Sequence, residues 1–333
     1  MKIFLTGGNG FLGSRLVDRL MRFSGHELVL LVRDGREANV PSHAGLSTVT
    51  GDLTDPASYE AALEGCDAVI HTAAVVSTWV RDRSLFDKVN VRGTLELIEK
   101  ATARGVSKIL YVSSFLALPP SPDSSPLDEL SPVERTAHYN DYERTKYTAN
   151  IRVAALVAGG APVVTLYPTV MYGPGPLTAG NLVAGMLIDH MRGRLPARLG
   201  DGSQTWNFVF ADDVADGVAL ALDKAKAGER FILGGENITL STFFEIMGKV
   251  TDKTPPRLAL PWKVARVAGA AEELLAWLTG RTPQTTRGVI DIFRQSWAFS
   301  SARAMERLDY APRTFAEGLE STVEWIRREG LAR

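Results

Sequence analysis

Residues 2–13 read Lys2-Ile3-Phe4-Leu5-Thr6-Gly7-Gly8-Asn9-Gly10-Phe11-Leu12-Gly13, a short apolar run that ends in a glycine-rich turn. A helical pattern follows over residues 10–23, so a Gly-x-Gly-x-x-Gly spacing lies between a predicted strand and a predicted helix. Glycine suits this turn because the φ values are costly for other residues and because the backbone must approach a phosphate closely. The helix start offers free N–H groups and the positive end of its dipole to that phosphate. We therefore predict a dinucleotide site, and not a purely structural turn, built by Gly7, Asn9, Gly10, Phe11, Leu12 and Gly13.

The first half of the chain alternates short β-branched runs with longer helical patterns. Strands are predicted at residues 2–6, 28–33, 47–50, 68–72, 108–113 and 163–167. Helices are predicted at residues 10–23, 58–64, 84–104 and 139–158. This alternation is typical of right-handed βαβ crossovers, which build a mostly parallel sheet with helices on both faces. The expected fold class is α/β, a Rossmann-type doubly wound parallel sheet.

The second half has a looser pattern after about residue 168. Predicted elements are a helix at 181–193, a strand at 206–210 and helices at 214–226, 242–250, 262–279 and 314–329. We predict a dinucleotide-binding domain over 1–168, with return segments from about 206–226, and a smaller C-terminal α/β substrate domain over 169–333. The amphipathic segment 262–279 is interpreted as a packing helix; a lid, a dimer face and a membrane-surface helix are the alternatives.

The amino-acid composition argues against several classes of function. The 333 residues include 37 basic and 38 acidic side chains, and this balance gives no field that would attract nucleic acid. The chain contains no apolar run long enough for a spanning helix, and its N-terminal run is too short for a signal peptide. Cys66 is the only cysteine, which fits a reducing compartment, so we expect a cytoplasmic protein. The histidines show no metal-ligand spacing, and no metal site is predicted.

The residue at the end of the second predicted strand indicates whether the cofactor is NAD(H) or NADP(H). Arg33 follows Gly13 by twenty residues, where an acidic residue commonly binds the ribose 2′-hydroxyl of NAD. An arginine suits a 2′-phosphate instead, since its guanidinium makes charge-assisted bidentate hydrogen bonds. We therefore predict NADP(H) in preference to NAD(H), with Arg36 as a helper and a solvated Arg33 as the alternative. Further cofactor contacts are predicted where later strands end, at Asp52, Leu53, Thr72, Ala73 and Ala74.

Tyr142 and Lys146 are the candidate catalytic pair. A spacing of four puts both side chains on one face of the predicted helix. Hydride transfer to a carbonyl needs a proton donor, and a nearby ammonium would move the phenol pKa toward the working range. Ser114 ends the fifth strand and could position the carbonyl oxygen, with Ser113 as the alternative. The pair alone is more typical of a solvated helix face, but the upstream glycine turn and strand order favour catalysis.

Together these residues resemble the extended short-chain dehydrogenase/reductases over nearly the whole chain. The matching motifs are Thr6–Gly13, Gly51-Asp52-Leu53, His71–Ala74, Asn90–Thr94, Ser113-Ser114, Tyr142–Lys146, Tyr172-Gly173-Pro174 and 208–214. The resemblance implies that Ser114 and Tyr142 flank the substrate carbonyl and that Lys146 also holds the nicotinamide ribose. It implies that Tyr167, Pro168, Thr169 and Val170 line the nicotinamide end. It also implies a homodimer formed through 84–104 and 139–158.

Within that family the chain resembles the dihydroflavonol-reductase-like branch and is also similar to the hopanoid-associated sugar epimerase group. Nucleotide-sugar epimerases tend to carry an arginine where this chain has Trp206, and that arginine contacts the sugar-nucleotide diphosphate. Asn181, which matches a nucleotide-contacting position of the epimerases, is retained. We therefore expect an NADP(H)-dependent oxidoreductase for an apolar ketone, aldehyde or secondary alcohol. A nucleotide-sugar epimerase or dehydratase is the alternative, and a non-catalytic dinucleotide sensor is a third possibility.

Overall fold

Parallel strands dominate the computed structural model, which describes residues 1–23, 25–36, 43–135, 137–195, 197–283 and 285–332 apart from the side chains of Phe23 and Ala179. The strands are β1 Lys2–Thr6, β2 Glu27–Val32, β3 Leu46–Thr50, β4 Ala68–His71, β5 Lys108–Val112, β6 Val163–Pro168, β7 Val170–Tyr172, β8 Ala197–Leu199, β9 Thr205–Phe210, β10 Arg230–Leu233, β11 Glu236–Thr239 and β12 Leu258–Leu260. The six strands predicted in the first half all form, with ends within one residue of those predicted.

The central sheet has seven strands in the order β10-β6-β5-β4-β1-β2-β3, and every neighbouring pair is parallel. The order reverses between β1 and β4, and this reversal is the switch point at which doubly wound sheets bind ligands. Strands β1, β4 and β5 are almost entirely buried, as their continuous apolar sequences require when helices cover both faces. The Rossmann-type fold predicted from the sequence is confirmed.

Helices cover both faces of the sheet. They are α1 Phe11–Phe23, α2 Ser84–Phe86, α3 Thr94–Ala103, α4 Asp141–Ala158, α5 Leu182–Met191, α6 Ala211–Lys224, α7 Leu240–Thr251, α8 Trp262–Thr279, α9 Arg287–Phe293, α10 Ala302–Leu308 and α11 Phe315–Arg328. One face packs against α1, α6 and α10 in a common apolar core. The other face packs against α3 and α4 through residues such as Leu95, Ile98 and Val153. Helix α4 is thereby fixed over the strands that end beside the glycine turn.

Two predicted helices form differently. The segment predicted as a helix at 58–64 is a pair of 3₁₀ turns, Pro56–Ser58 and Glu60–Leu63. Tyr59 lies between them with φ of −133°, outside the helical range, and its buried ring packs against Phe4. The segment predicted as one helix at 84–104 contains a π-helical stretch, Asp87–Gly93, between α2 and α3. Such bulges are frequent at functional sites.

The rest of the second half forms a smaller layer beside the switch point. Strands β11, β9 and β7 make a three-stranded sheet, and β12 pairs with β8. The returning part differs from the predicted 206–226, since β9 belongs to the smaller sheet. The chain returns with α6 and continues through β10, which pairs with β6 at the edge of the large sheet. Helix α10 also returns and packs against α6 and β10.

Helix α8 spans the residues predicted for it and lies against α9. Ala265, Gly269 and Ala276 form its buried face. Its opposite face is apolar but exposed, so packing within the chain accounts for only one side of this helix. In the described ranges, no helix combines the length and apolarity needed to cross a membrane.

Candidate active site

The glycine turn joins β1 to α1 and leaves no room for side chains at its closest contacts. Gly7 has φ of +75°, and a Cβ there would lie 2.6 Å from Thr72 Oγ1. A Cβ on Gly13 would lie 2.0 Å from the Gly7 carbonyl oxygen, so this glycine lets the helix close onto the turn. The first turn of α1 carries no acidic residue, and its N–H groups lack partners within the helix. Such a helix start suits the pyrophosphate of a dinucleotide.

A buried hydrogen-bond chain fixes the neighbouring strand ends. Thr6 Oγ1 lies 2.7 Å from His71 Nδ1, and His71 Nε2 lies 2.9 Å from Thr94 Oγ1. Thr94 donates its hydroxyl proton to the Asn90 carbonyl, so it accepts from His71, and we assign the proton of the ring to Nε2. Burial, aided by the positive charge of Lys146, lowers the pKa of His71 to about 3. This histidine is therefore a neutral structural residue.

Lys146 lies at the carboxyl edge of the central sheet. Its Nζ is 3.4 Å from the Val112 carbonyl oxygen at the end of β5 and 5.7 Å from the centre of the Tyr111 ring. The side chain is buried, and burial lowers its pKa to about 8. Its charge also depresses the pKa of His71 at the end of β4. The ammonium thus lies over β4 and β5, next to the strand that carries the glycine turn.

Tyr142 lies in the first turn of α4, where Asn140 caps the helix by accepting a hydrogen bond from the Glu143 N–H at 2.8 Å. Burial raises the pKa of Tyr142 to about 12, and a hydrogen bond from Ser114 opposes that rise. The predicted lowering of this pKa by Lys146 is not found, because burial outweighs every other effect. Tyr142 is therefore protonated near neutral pH. Ser114, rather than Ser113, is the hydroxyl that meets the tyrosine.

Ser114 is presented by a tight turn at the end of β5. Its Oγ accepts the N–H of Leu116 at 3.2 Å and caps the 3₁₀ turn Phe115–Ala117. Because that bond uses an acceptor site, the hydroxyl proton stays available for donation. Ser114 thus meets Tyr142 at the carboxyl edge of the sheet, and Lys146 follows Tyr142 by one turn of α4.

A buried ion pair that the sequence analysis did not identify supports this arrangement. Arg135 and Glu143 are in direct contact, and their side chains are 2% and 0% exposed. Arg135 Nη1 donates to the carbonyl oxygens of Leu116 and Leu118 at 2.9 and 3.1 Å. Glu143 Oε2 accepts the N–H of Tyr139 at 2.6 Å. The pair joins the turn that holds Ser114 to the helix that holds Tyr142.

The motif Asn90–Thr94 has a structural explanation. Asn90, in the π-helical stretch, accepts the N–H of Val75 at 2.8 Å and donates to its carbonyl and to Thr145 Oγ1. It thereby ties the loop after β4 to α4, next to Lys146. A Cβ on Gly93 would lie 2.8 Å from Leu53 Cγ, so this glycine accommodates the segment after β3.

Arg33, predicted for the ribose 2′-phosphate, follows β2, and Asp52 and Leu53, predicted as further cofactor contacts, follow β3. Arg33 directly follows β2 and is exposed. Asp52 Oδ1 accepts two hydrogen bonds from Thr54; burial acts to raise its pKa, but these bonds and the charge of Arg33 bring it below the ordinary value. Leu53 is buried in the core, so only its backbone is available to a ligand. Thr72 donates its hydroxyl to the Thr6 carbonyl at 2.8 Å.

Residues 167–170 join the end of β6 to the start of β7 at the carboxyl edge of the sheet. The side chains of two of them form hydrogen bonds within the protein. Tyr167 donates its hydroxyl to Asn150 Oδ1 at 2.6 Å, and Thr169 donates to Asn207 Oδ1 at 2.8 Å. Pro168 ends β6, and Val170 begins β7. The segment that directly follows β4 is half-buried and consists of Thr72, Ala73 and Ala74.

A small apolar cavity of about 10 Å³ adjoins this edge. Its lining consists of Val170, Leu182, Val183, Met186, Trp206, Phe208, Leu240, Phe243 and Phe293. The indole N–H of Trp206 donates to the Gln295 carbonyl at 2.9 Å, which leaves its ring to the pocket. Asn181 Nδ2 donates to the Gly173 carbonyl at 2.9 Å, and its Oδ1 is buried without a partner.

Arg15 is a second residue that the sequence analysis did not identify. It donates to the Phe11 carbonyl at 2.8 Å and also contacts the Pro174 carbonyl. Its Nε lies 2.6 Å from Asp212. Arg15 thus links the glycine turn to the Tyr172–Pro174 turn and to α6. An arginine in an amphipathic helix gives no sequence signal for such long-range contacts.

The switch-point sheet and the glycine turn are those of a nicotinamide-dependent oxidoreductase of the extended short-chain type, which acts on CH–OH groups. The sequence profile of the NAD dependent epimerase/dehydratase family matches residues 3–234. The chain belongs to that family.

Two relatives and a solved structure share almost the full length of the chain. It is 28% identical over 340 residues to a putative dihydroflavonol 4-reductase of Synechocystis sp., which covers 99% of this chain and 96% of the relative. It is 30% identical over 337 residues to sterol demethylase protein B of Methylococcus capsulatus, with 99% and 100% covered. The crystal structure of gox2253 is 33% identical and superposes with a TM-score of 0.83 over 99% of both chains.

Proposed function

We propose that this protein is an NADP(H)-dependent carbonyl reductase or alcohol dehydrogenase for a largely apolar small molecule. The observation that carries the proposal is the hydrogen bond between the Tyr142 and Ser114 hydroxyls at the sheet edge that also holds Lys146. A phenol that keeps its proton near neutral pH is a proton donor, which is what the reduction of a carbonyl needs.

Each residue of the cluster has a separate task in this proposal. A bound nicotinamide dinucleotide supplies the hydride for reduction and accepts it for oxidation. Tyr142 gives its phenolic proton to the substrate oxygen, and Ser114 donates a hydrogen bond to the same oxygen. Lys146 holds the cofactor ribose and stabilises the phenolate that remains after proton transfer. The turn at Gly7 and Gly13 and the start of α1 would hold the pyrophosphate.

The apolar side chains around Trp206 support an apolar substrate, which would have to move them apart because the cavity among them has a volume of only about 10 Å³. The pocket carries an indole where epimerases tend to carry an arginine, so a diphosphate would lose charge-assisted hydrogen bonds of about 1.5–3 kcal/mol each. Tyr142 packs against the core cluster that includes Trp206 and Val170, which connects the pocket with the proton donor. The names of two relatives, a dihydroflavonol reductase and a sterol demethylase protein, also point to polycyclic, weakly polar substrates.

The proposed function is tested by comparing the amount of NADPH consumed with the amount of alcohol formed. We expect NADPH to be consumed in equal amounts with a cyclic or long-chain ketone, and the alcohol product to accumulate. With UDP-sugars we expect neither NADPH consumption nor an isomerised product. Isomerisation of a nucleotide sugar without net consumption of NADPH would contradict the proposal.

A nucleotide-sugar epimerase or dehydratase is the second candidate. Asn181 favours it, because the residue is retained and its buried Oδ1 has no protein partner. A non-catalytic sensor has less support, since the Tyr142–Lys146 pair would then serve no purpose.

Arg33 supports the NADP(H) preference, because its exposed guanidinium follows β2 and acts on the carboxylate of Asp52 nearby. We expect Arg33→Ala to raise KM for NADPH about 10–100-fold, as the loss of hydrogen bonds to a charged phosphate of about 1.5–3 kcal/mol implies. KM for NADH should change little. Steady-state kinetics with both cofactors measures this, with Arg22→Ala as the control. An unchanged ratio of the two KM values would remove the argument.

The homodimer and the cytoplasmic location stay predictions. Support for a dimer through the helices that include α2 and α4 comes from two exposed apolar side chains on them, Leu85 and Ile151. Support for a reducing compartment comes from the single cysteine, Cys66, which is buried and free.

A further inference from the structure

The outer face of α8 is a continuous apolar stripe that the described chain leaves uncovered. Its large side chains recur at helical spacing, and more than half of each is exposed: Val264 53%, Val267 71%, Leu274 58%, Leu275 53% and Leu278 62%. Ala268 and Ala271 fill the intervals and are exposed too. Trp277 flanks the stripe with 77% of its surface exposed. Large contiguous apolar surfaces of this kind mark interaction sites.

The inner face of α8 packs against α9. A Cβ on Gly269 would lie 2.9 Å from Ile290 Cδ1 and 3.0 Å from the Arg287 nitrogen, so the helix touches α9 at backbone distance. Glu273 bonds to Arg287, and Asp291 bonds to Arg266. The helix is thus held in place through one face, and the stripe contributes nothing to this packing.

The charges around the stripe are mostly positive. Residues 257–294 contain six basic and three acidic side chains, in a chain whose net charge is −1. Glu273 and Asp291, 24% and 15% exposed, form ion pairs with Arg287, Arg266 and Arg294. The basic side chains outside those pairs are Arg257, Lys263 and Arg281, against one acid, Glu272. Lys263 and Arg281 lie exposed at the two ends of the helix. The outward surface therefore combines apolar side chains with a positive rim.

We propose that the outer face of α8 docks onto an anionic lipid bilayer. An amphipathic helix with apolar side chains on one face and basic residues at its margin lies in the interface plane of such a membrane. At about 1.5 Å per residue, its 18 residues extend over about 27 Å parallel to the surface. Trp277 suits the headgroup level, where indole rings concentrate. A second copy of the chain is a poorer occupant, since two positive rims would repel each other.

Docking in this orientation brings the active site to the bilayer. Helix α9, on which α8 rests, supplies Phe293 to the apolar pocket. A Cβ on Gly288 would lie 2.3 Å from the Tyr139 carbonyl oxygen, three residues before Tyr142. In terms of the proposed function, on which this step alone rests, the substrate class becomes molecules that partition into membranes.

Vesicle binding tests the docking surface with the full-length protein. We expect co-sedimentation with vesicles of three parts phosphatidylcholine to one part phosphatidylglycerol, and weaker binding to phosphatidylcholine alone or at high salt. Val267→Gln with Leu278→Gln should lower the partition coefficient at least about tenfold, because both side chains would otherwise enter the apolar layer. The matched control is Leu130→Gln with Met305→Gln, which removes two exposed apolar side chains elsewhere and should bind as the unmodified chain does.

Two further measurements distinguish a loss of docking from a loss of folding or of the proposed catalytic function. Thermal unfolding should be the same for all variants, and turnover of a water-soluble ketone should not depend on vesicles or on the α8 substitutions. The proposal is overturned by absent vesicle binding, or by binding that the α8 variant leaves unchanged. It is also overturned if the variant turns a dimer into a monomer in light scattering without any vesicle binding, which would assign the face to a second copy.

Discussion

Tyr142→Phe is expected to lower kcat/KM for carbonyl reduction by about 10²–10⁴-fold, the range typical of a lost general acid. The substitution removes one hydroxyl and keeps the ring that packs against the apolar core. Cofactor contacts predicted for the glycine turn and Lys146 stay in place. The dissociation constant for NADPH, measured by fluorescence titration, should therefore change by no more than about twofold, well below the 1.4 kcal/mol that a tenfold change represents.

Tyr147→Phe is the matched control, because Tyr147 lies on the same helix, only half-buried, and its ring contacts His138. It should retain full turnover. Ser114→Ala should retain more activity than Tyr142→Phe, since it removes a hydrogen bond to the substrate oxygen but not the proton donor. Undiminished turnover in Tyr142→Phe would show that another group protonates the product.

The cofactor half of the site could be predicted because its signals are local. The strand, the glycine spacing and the helix occupy residues 2–23 without interruption, and each choice of residue has a backbone reason. The strand order also follows from local alternation, since right-handed crossovers leave few topologies. The prediction that Tyr142 and Lys146 share one helix is confirmed, since both lie on α4; their pairing in catalysis stays a prediction.

The supporting contacts could not be predicted because they join distant segments. Nothing near Arg135 in the sequence indicates that it reaches the carbonyls of Leu116 and Leu118. The interruption at Asn90 depends on the backbone of Val75, fifteen residues away. Burial is equally non-local, which is why the expected lowering of the Tyr142 pKa was wrong: spacing predicts that a lysine is near, but not how much water the tyrosine loses.

Tyr172, which the sequence analysis identified only as part of a family motif, shows the same limit for the pocket. The sequence analysis can place aromatic and apolar residues near the substrate, but it cannot tell which of them face a cavity. Tyr172 instead donates its hydroxyl to the Phe315 carbonyl at 3.1 Å within the core, and Met171 packs under the large sheet. Trp206 does line the pocket, because β9 turns it toward Val170 and Met186.

Glu143→Ala is expected to cost about 3–5 kcal/mol of the free energy of unfolding, the range for removal of one partner from a buried ion pair. The substitution leaves the Arg135 guanidinium, 2% exposed, without its counter-charge. It also leaves the Tyr139 N–H without its acceptor. Urea unfolding followed by circular dichroism measures the loss. Glu60→Ala, which removes a carboxylate that pairs with Lys100 and Arg104 on the surface, should leave the midpoint nearly unchanged.

The double variant Arg135→Met with Glu143→Met separates charge imbalance from lost contacts. If the isolated guanidinium causes the loss, replacing both partners by apolar side chains should recover most of the stability, as it often does for buried pairs. Turnover should stay low, since methionine cannot donate to the Leu116 carbonyl and the turn that presents Ser114 to Tyr142 loses its anchor. Full recovery of both properties would mean that the pair stabilises the fold without positioning the hydroxyls.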